Sequence, residues 1–259
     1  NTKKNLMNVN VIPCLSDNYS YCVVDPETKK VVIVDPAEFD AVDSFLEKNN
    51  LSLDFILNTH HHGDHVDGNQ SLKKKYNCKI VGFAPDHNRI PGIDILLDDG
   101  QIWEFANTEV EVHHVPGHTS GHIFYYFKKN NLAFVGDVVF SLGCGRIFEG
   151  TYEEMFASVD QIRKLPPQTK VFCGHEYTKS NLAFCMSVDP DNDDLKKRAT
   201  EIESLRRQNK PTIPTTISME LKTNIFFRLD DLAVRKSLSL NNATDLEVFT
   251  KLRKLKDNF

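Results

Sequence analysis

The sequence predicts an α/β domain followed by a smaller helical domain. Three observations carry this. Up to His175, β-branched and aromatic runs alternate with stretches of helical spacing. From about residue 178 the strand signals almost vanish and charged helical spacing takes over. The chain has 259 residues, 40% hydrophobic and 26% charged, which suits one large domain or a large and a small one, with a sizeable core. The boundary falls near 176, dividing the chain into 1–175 and 176–259.

Residues 19–25 and 31–35 are β-branched or aromatic runs, separated by a Pro-Glu-Thr-Lys-Lys turn, and predict a hairpin. Phe39, Val42, Phe45 and Leu46 fall at helical spacing and predict a helix over 38–49. Residues 53–58 predict a buried strand that runs into a His-rich loop, and further strands are expected around 79–81, 101–105, 110–115, 122–127 and 132–135. Thr151 and Glu154 have capping-box spacing ahead of Met155, Phe156, Val159 and Ile162, a helix stopped by Pro166 and Pro167. A short strand at 170–173 precedes the helical part. There, 189–194 is expected as the acidic start of a charged helix that continues over 195–209, before Pro211 and Pro214. Leu246, Phe249 and Leu252 give a last helix one apolar face.

Composition narrows the function classes. No apolar run approaches the ~20 residues of a membrane span. A net charge of −5 counts against a large nucleic-acid surface. Six cysteines without a C-x-x-C pair, in a chain too long to need staples, are expected as reduced thiols. Residues 1–10 lack the pattern of a secretory signal, so a cytoplasmic location is expected.

The chemistry concentrates in Thr59-His60-His61-His62-Gly63-Asp64-His65, at the end of a predicted strand. Imidazoles and carboxylates are the usual ligands of zinc and comparable first-row metals. His60 and His62 can face one way and Asp64 and His65 another, which suits two adjacent metals. His118, Asp137 and His175 each follow an apolar strand and lie beside a glycine, where the backbone can turn a ligand into a cavity. Grouped, these residues predict His60, His62 and His118 on one metal, Asp64, His65 and His175 on a second, and Asp137 between them. Such a set leaves room for a shared water. His61, His87, His113, His114 and His122 are expected at neighbouring, core or surface positions.

At these residues the chain resembles the metallo-β-lactamase superfamily, whose T-H-x-H-x-D-H loop is reproduced by 59–65. Within it the chain resembles the glyoxalase II, or hydroxyacylglutathione hydrolase, family. Gly143-Cys144-Gly145-Arg146-Ile147-Phe148-Glu149-Gly150, Cys173-Gly174-His175-Glu176-Tyr177-Thr178 and Leu252-Arg253-Lys254-Leu255-Lys256-Asp257 carry this likeness, which extends over essentially the whole chain. The resemblance implies an αββα sandwich with a binuclear centre, holding zinc or else iron or manganese, and a C-terminal helical domain that binds substrate. It implies hydrolysis of S-2-hydroxyacylglutathione, chiefly S-D-lactoylglutathione, as the second step of methylglyoxal detoxification. A hydroxide shared by two metals would be the nucleophile, with Asp64 as a proton acceptor besides its ligand role. Arg146, Tyr177, Arg253 and Lys256 would contact glutathione. Animal members have Lys and Tyr where this chain has Arg146 and Phe148, so one hydroxyl donor is lost and the pair looks like the bacterial branch.

The chemistry suits the residues. A thiol leaving group has a pKa near ~8.5 and departs without a strong general acid. No catalytic triad is then needed. The alternatives are a one-iron persulfide dioxygenase, a nuclease, a β-lactamase and a non-enzymatic metal binder. Seven ligands, the net charge and the helical tail weigh against the first three, and turnover on a thioester would exclude the fourth. A monomer acting on a small molecule, with neither nucleic acid nor membrane as partner, is expected.

Overall fold

Strands with apolar residues on both faces need cover on both sides, and the structure supplies it. The computed structural model describes residues 6–259. Residues 1–5, half of the segment tested for a secretory signal, lie outside it. Contacts divide the chain into two compact units. One runs to His114 and resumes at Gly121–Gly136; the other comprises Val115–Ser120 and Asp137–Phe259.

In the first unit, β1 (Asn8–Cys14), β2 (Asn18–Val24) and β3 (Val31–Val34) form an antiparallel meander. The predicted hairpin turn is held by Asp25, whose Oδ2 accepts from Thr28 N–H at 2.8 Å and Thr28 Oγ1 at 2.6 Å. After α1 (Phe39–Lys48), β4 (Phe55–Leu57) joins β3 in parallel. Helices α2 (Gly63–Val66) and α3 (Asn69–Tyr76) then lead to β5 (Lys79–Phe83) and β6 (Ile95–Leu97), which continue the sheet in parallel. The second sheet runs antiparallel through β7 (Ile102–Phe105), β8 (Thr108–His114), β9 (Ile123–Phe127) and β10 (Leu132–Gly136).

Successive strand residues point to opposite faces. Val31, Ile33, Ile56 and Ile80 pack with Val42 and Leu46 of α1 and Leu72 of α3. The other face meets the second sheet. Tyr21 packs on Phe134 with centroids 5.7 Å apart, and Phe55 on Trp103 at 5.0 Å. The buried Tyr125 hydroxyl donates to Asn58 O at 2.7 Å. Each such side chain is worth about 1.5–3 kcal/mol on full burial.

The longer piece of the second unit opens with a small hairpin, β11 (Val139–Phe140) and β12 (Gly143–Cys144). Helix α4 (Tyr152–Arg163) starts at the predicted capping box: Thr151 Oγ1 accepts from Glu154 N–H at 3.1 Å, and Glu154 Oε1 from Thr151 N–H at 3.0 Å. After β13 (Lys170–Cys173) come α5 (Thr178–Val188), α6 (Asp193–Arg207), β14 (Thr215–Thr216), α7 (Ile217–Thr223), α8 (Leu232–Ser237) and α9 (Asp245–Asp257). Of the predicted α9 stripe Phe249 and Leu252 are buried and Leu246 is half-buried, with Phe249 5.8 Å from both Phe156 and Phe226.

Some elements differ from expectation. Helix α6 starts at Asp193 rather than 189, because Asn192 caps it, accepting from Asp194 N–H at 3.1 Å. Asp189 instead lies buried in an ion pair with Arg228. Helices α2 and α3 carry few apolar residues and so showed no periodicity. All six cysteines are buried and unbridged, and burial pushes the Cys22, Cys173 and Cys185 thiols up to about 12. Among the described residues no helix is long and apolar enough to cross a membrane.

Candidate metal centre

The His-rich loop leaves the C-terminal end of β4, a common place for a site in parallel sheets. It is fixed by Asp35, which follows β3. Asp35 Oδ1 accepts from Thr59 N–H at 2.8 Å; its Oδ2 accepts from Thr59 Oγ1 at 2.6 Å and from His65 Nδ1 at 2.9 Å. The Thr59 hydroxyl has one proton and donates it to Asp35. It must therefore accept from His60 Nδ1, 2.9 Å away. Both His60 and His65 thus carry a proton on Nδ1, with Nε2 as the second ring nitrogen of each. Their ring centroids are 4.2 Å apart, and His62 lies 4.9 Å from His60. Asp64 Oδ2 is 3.5 Å from His65 Nε2, and Asn18 Nδ2 donates to both Asp64 O and Oδ2 at 3.0 Å. His61 pairs with Asp86 at 3.6 Å, and His122 stacks on His60 at 4.3 Å.

The second unit brings His118, Asp137 and His175 together. All three are buried. His118 Nδ1 donates to Arg146 O at 2.8 Å, and its Nε2 faces Asp137. That Nε2 is 3.4 Å from Asp137 Oδ2, and His175 Nε2 is 3.3 Å from the same oxygen. Tyr177 stacks on His175 at 4.6 Å, with Phe140 edge-on to Tyr177 at 4.9 Å. A Cβ at Gly145 would stand 1.9 Å from Asp137 O, so only glycine fits.

Beside these residues lies a cavity of about 430 Å³. Its walls include His118, Asp137, Phe140, Cys144, Arg146, Phe148, Tyr177, Arg253 and Lys256, together with Ser180 and Asn181, which sequence reasoning missed. All four residues expected at glutathione therefore line one cavity. Burial first, then the charges of Arg253 and Arg146, hold the Lys256 ammonium below the usual lysine range. Arg253 is buried, and its Nη1 donates to Cys144 O at 2.6 Å and Gly145 O at 3.2 Å, while Nη2 meets Asp257 at 2.8 Å. It brings charge to the wall while its N–H groups hold that wall together.

Residues 16–175 match the model of the metallo-β-lactamase superfamily, and residues 176–259 match that of the hydroxyacylglutathione hydrolase C-terminus. A hydroxyacylglutathione hydrolase of Pelagibacter ubique is 47% identical over 253 residues, covering 98% of this chain and 100% of that protein. One of Methylococcus capsulatus is 44% identical, covering 96% and 97%. The chain belongs to the hydroxyacylglutathione hydrolase family.

The family's fold bears out the αββα expectation. The crystal structure of ETHE1 from Myxococcus xanthus, 20% identical, covers 97% of each chain with a TM-score of 0.65 and shares the fold. As a member of this family the chain is an enzyme, and its fold and His/Asp cluster bind divalent metal. The donor set fits such an ion. His118 Nε2 and His175 Nε2 both face the Asp137 Oδ2 oxygen, at 3.4 and 3.3 Å, and so place imidazole nitrogen and carboxylate oxygen within reach of one ion. Imidazole with carboxylate is also the ligand chemistry of zinc, iron and manganese.

The orienting residues were missed from the sequence. Asp35 is the clearest, although its place, directly after an apolar strand, is the one that singled out Asp137. Its loss should be costly, since partners that orient ligating histidines carry about 10–100-fold in metal affinity. Asp35→Asn is expected to weaken metal binding by that order, measured by competition with a chromogenic chelator. Unchanged affinity would show that Thr59 and the backbone suffice.

Proposed function

We propose that the chain hydrolyses thioesters of glutathione with 2-hydroxy acids, S-D-lactoylglutathione foremost, to glutathione and the free acid. The observation that carries this is a single cavity whose wall holds His118 and Asp137 together with the three cations Arg146, Arg253 and Lys256. Glutathione has two carboxylates, and a site for it needs positive charge near a hydrolytic centre. Family membership supports the same reading.

In this reading His60, His62 and His118 would hold one divalent metal and Asp64, His65 and His175 a second, zinc or else iron or manganese, and Asp137 would serve both. When bound, such ions acidify water toward neutral pKa and supply positive charge for an oxyanion. The chain's own residues do the rest. Asp64 has the most open carboxylate, with its side chain 37% exposed against 6% for Asp137, and it orients the attacking water and accepts its proton. Asn18 fixes Asp64 through the 3.0 Å bond to Oδ2. Arg146, Arg253 and Lys256 attract the carrier's carboxylates, and Tyr177 packs beside the thioester. The leaving thiolate needs no strong acid. Residues 176–259 serve as the substrate-binding domain. Six buried, unbridged thiols support a cytoplasmic setting.

The test is S-D-lactoylglutathione hydrolysis by the purified chain, with metal counted on the same sample. Turnover with about two metals per chain, abolished by a chelator and restored by zinc, iron or manganese, is the expected result. No turnover at full metal occupancy discards the substrate.

A further inference from the structure

One segment, residues 145–150, faces two ways. Its Arg146 and Phe148 side chains line the cavity. Its backbone and Glu149 hold the loop that carries His118. The Arg146 carbonyl accepts the His118 Nδ1 proton at 2.8 Å. Glu149 Oε1 accepts from Ser120 N–H at 3.0 Å, and Glu149 N–H donates to Gly117 O at 3.3 Å. The packing leaves no slack: a Cβ on Gly150 would stand 2.8 Å from Gly117 Cα, and one on Gly145 3.2 Å from His118 Nδ1. The segment cannot shift without moving the imidazole.

We propose that this segment couples occupancy of the carrier cavity to retention of the metal that His118 helps to hold. The proposal rests on the function proposed above. An anion seated against Arg146 restrains the segment, and the segment restrains the His118 ring with Nδ1 on the Arg146 carbonyl and Nε2 toward Asp137. By linkage, metal at His118 tightens carrier binding by the same factor. Glu149 is the positioning residue of this link: its carboxylate is directed at Ser120, bonding the N–H at 3.0 Å and the hydroxyl at 3.4 Å.

The experiment follows metal release from the holoenzyme to a chromogenic chelator, with and without S-methylglutathione. This carrier analogue has a capped sulfur that cannot ligate metal as a thiolate. Saturating analogue is expected to slow release by about tenfold, within the usual range of coupling between two sites. Glu149→Ala should abolish most of that slowing. Glu149→Gln, whose amide oxygen still accepts from Ser120, should keep it. A ligand that merely blocks the exit would slow release equally in Glu149→Ala, and that result overturns the coupling. Calorimetry with the same analogue separates the remaining outcomes. Analogue bound with release unchanged overturns the coupling alone; no binding overturns the proposed function and the coupling with it. If Glu149→Ala does not fold, the native protein decides: the analogue's Kd must be lower for the holo form than for the metal-stripped form, and equal values overturn the proposal.

Discussion

Asp137→Ala is expected to lose metal and thioester hydrolysis together, with kcat falling by about 10³-fold or more, at or beyond the scale of losing an electrostatic group aimed at the reacting atoms. The reason is geometric. One carboxylate oxygen stands 3.3 Å from His175 Nε2 and 3.4 Å from His118 Nε2, so it is the shared anion of the set. Without it the two imidazoles have no common negative partner, and a cation there loses charge compensation. Asp137→Asn separates charge from shape, since the amide fills the same space. Elemental analysis and kcat on the same preparation decide. If Asp137→Asn retains both metal and rate, the shared-carboxylate role is wrong; if metal falls with rate, the charge is what matters.

The second large effect is on stability. Glu220→Ala should destabilise the fold by about 3–5 kcal/mol, the cost of breaking a buried ion pair from one side. For a chain of this size that is a fall of roughly 10–15 °C in Tm. Glu220 is fully buried. Its Oε2 accepts from Arg198 Nη1 at 2.6 Å, Thr215 Oγ1 at 2.7 Å and Ser141 Oγ at 3.1 Å; its Oε1 accepts from Leu142 N–H at 2.7 Å and Asn224 Nδ2 at 3.0 Å. Removal leaves the Arg198 guanidinium buried without its countercharge and unfastens the turn between β11 and β12. Replacing both partners, Arg198→Met with Glu220→Leu, should recover only the part due to the stranded charge, because Leu142 N–H, Thr215, Ser141 and Asn224 still lose their acceptor. Thermal melts of the single and paired variants test this. A single variant within about 1 kcal/mol of native would show that the remaining bonds hold the turn.

The same network shows what was legible in the sequence. The hairpin over β2 and β3, α1, the capping box of α4 and the stripe of α9 were readable because each depends on residues a few positions apart. The ligand candidates were readable for a related reason: three histidines and an aspartate of the loop lie within six positions, and Asp137 and His175 sit at strand ends beside glycines. Helices α2 and α3 were not, since neither shows an apolar period. α3 buries only Asn69 and Leu72 and carries Lys73, Lys74 and Lys75.

Arg253 marks the limit most clearly. Its spacing from Lys256 suggested two cations side by side on a helix, open to a carboxylate. The structure buries Arg253 and bonds it to carbonyls 109 and 108 residues away. Asp35 reaches Thr59 across 24 residues, and Glu149 reaches Ser120 across 29. What the sequence by itself determined is local: the strand and helix periods, the caps, the type and order of the candidate ligands, and the family they resemble. The tertiary structure decided how those candidate ligands are oriented, which partner holds Nδ1 of His60, His65 and His118, and which cations line the cavity while bracing its wall. Hydrogen bonds act over about 3 Å in space whatever the distance along the chain, and only the folded chain brings such pairs together.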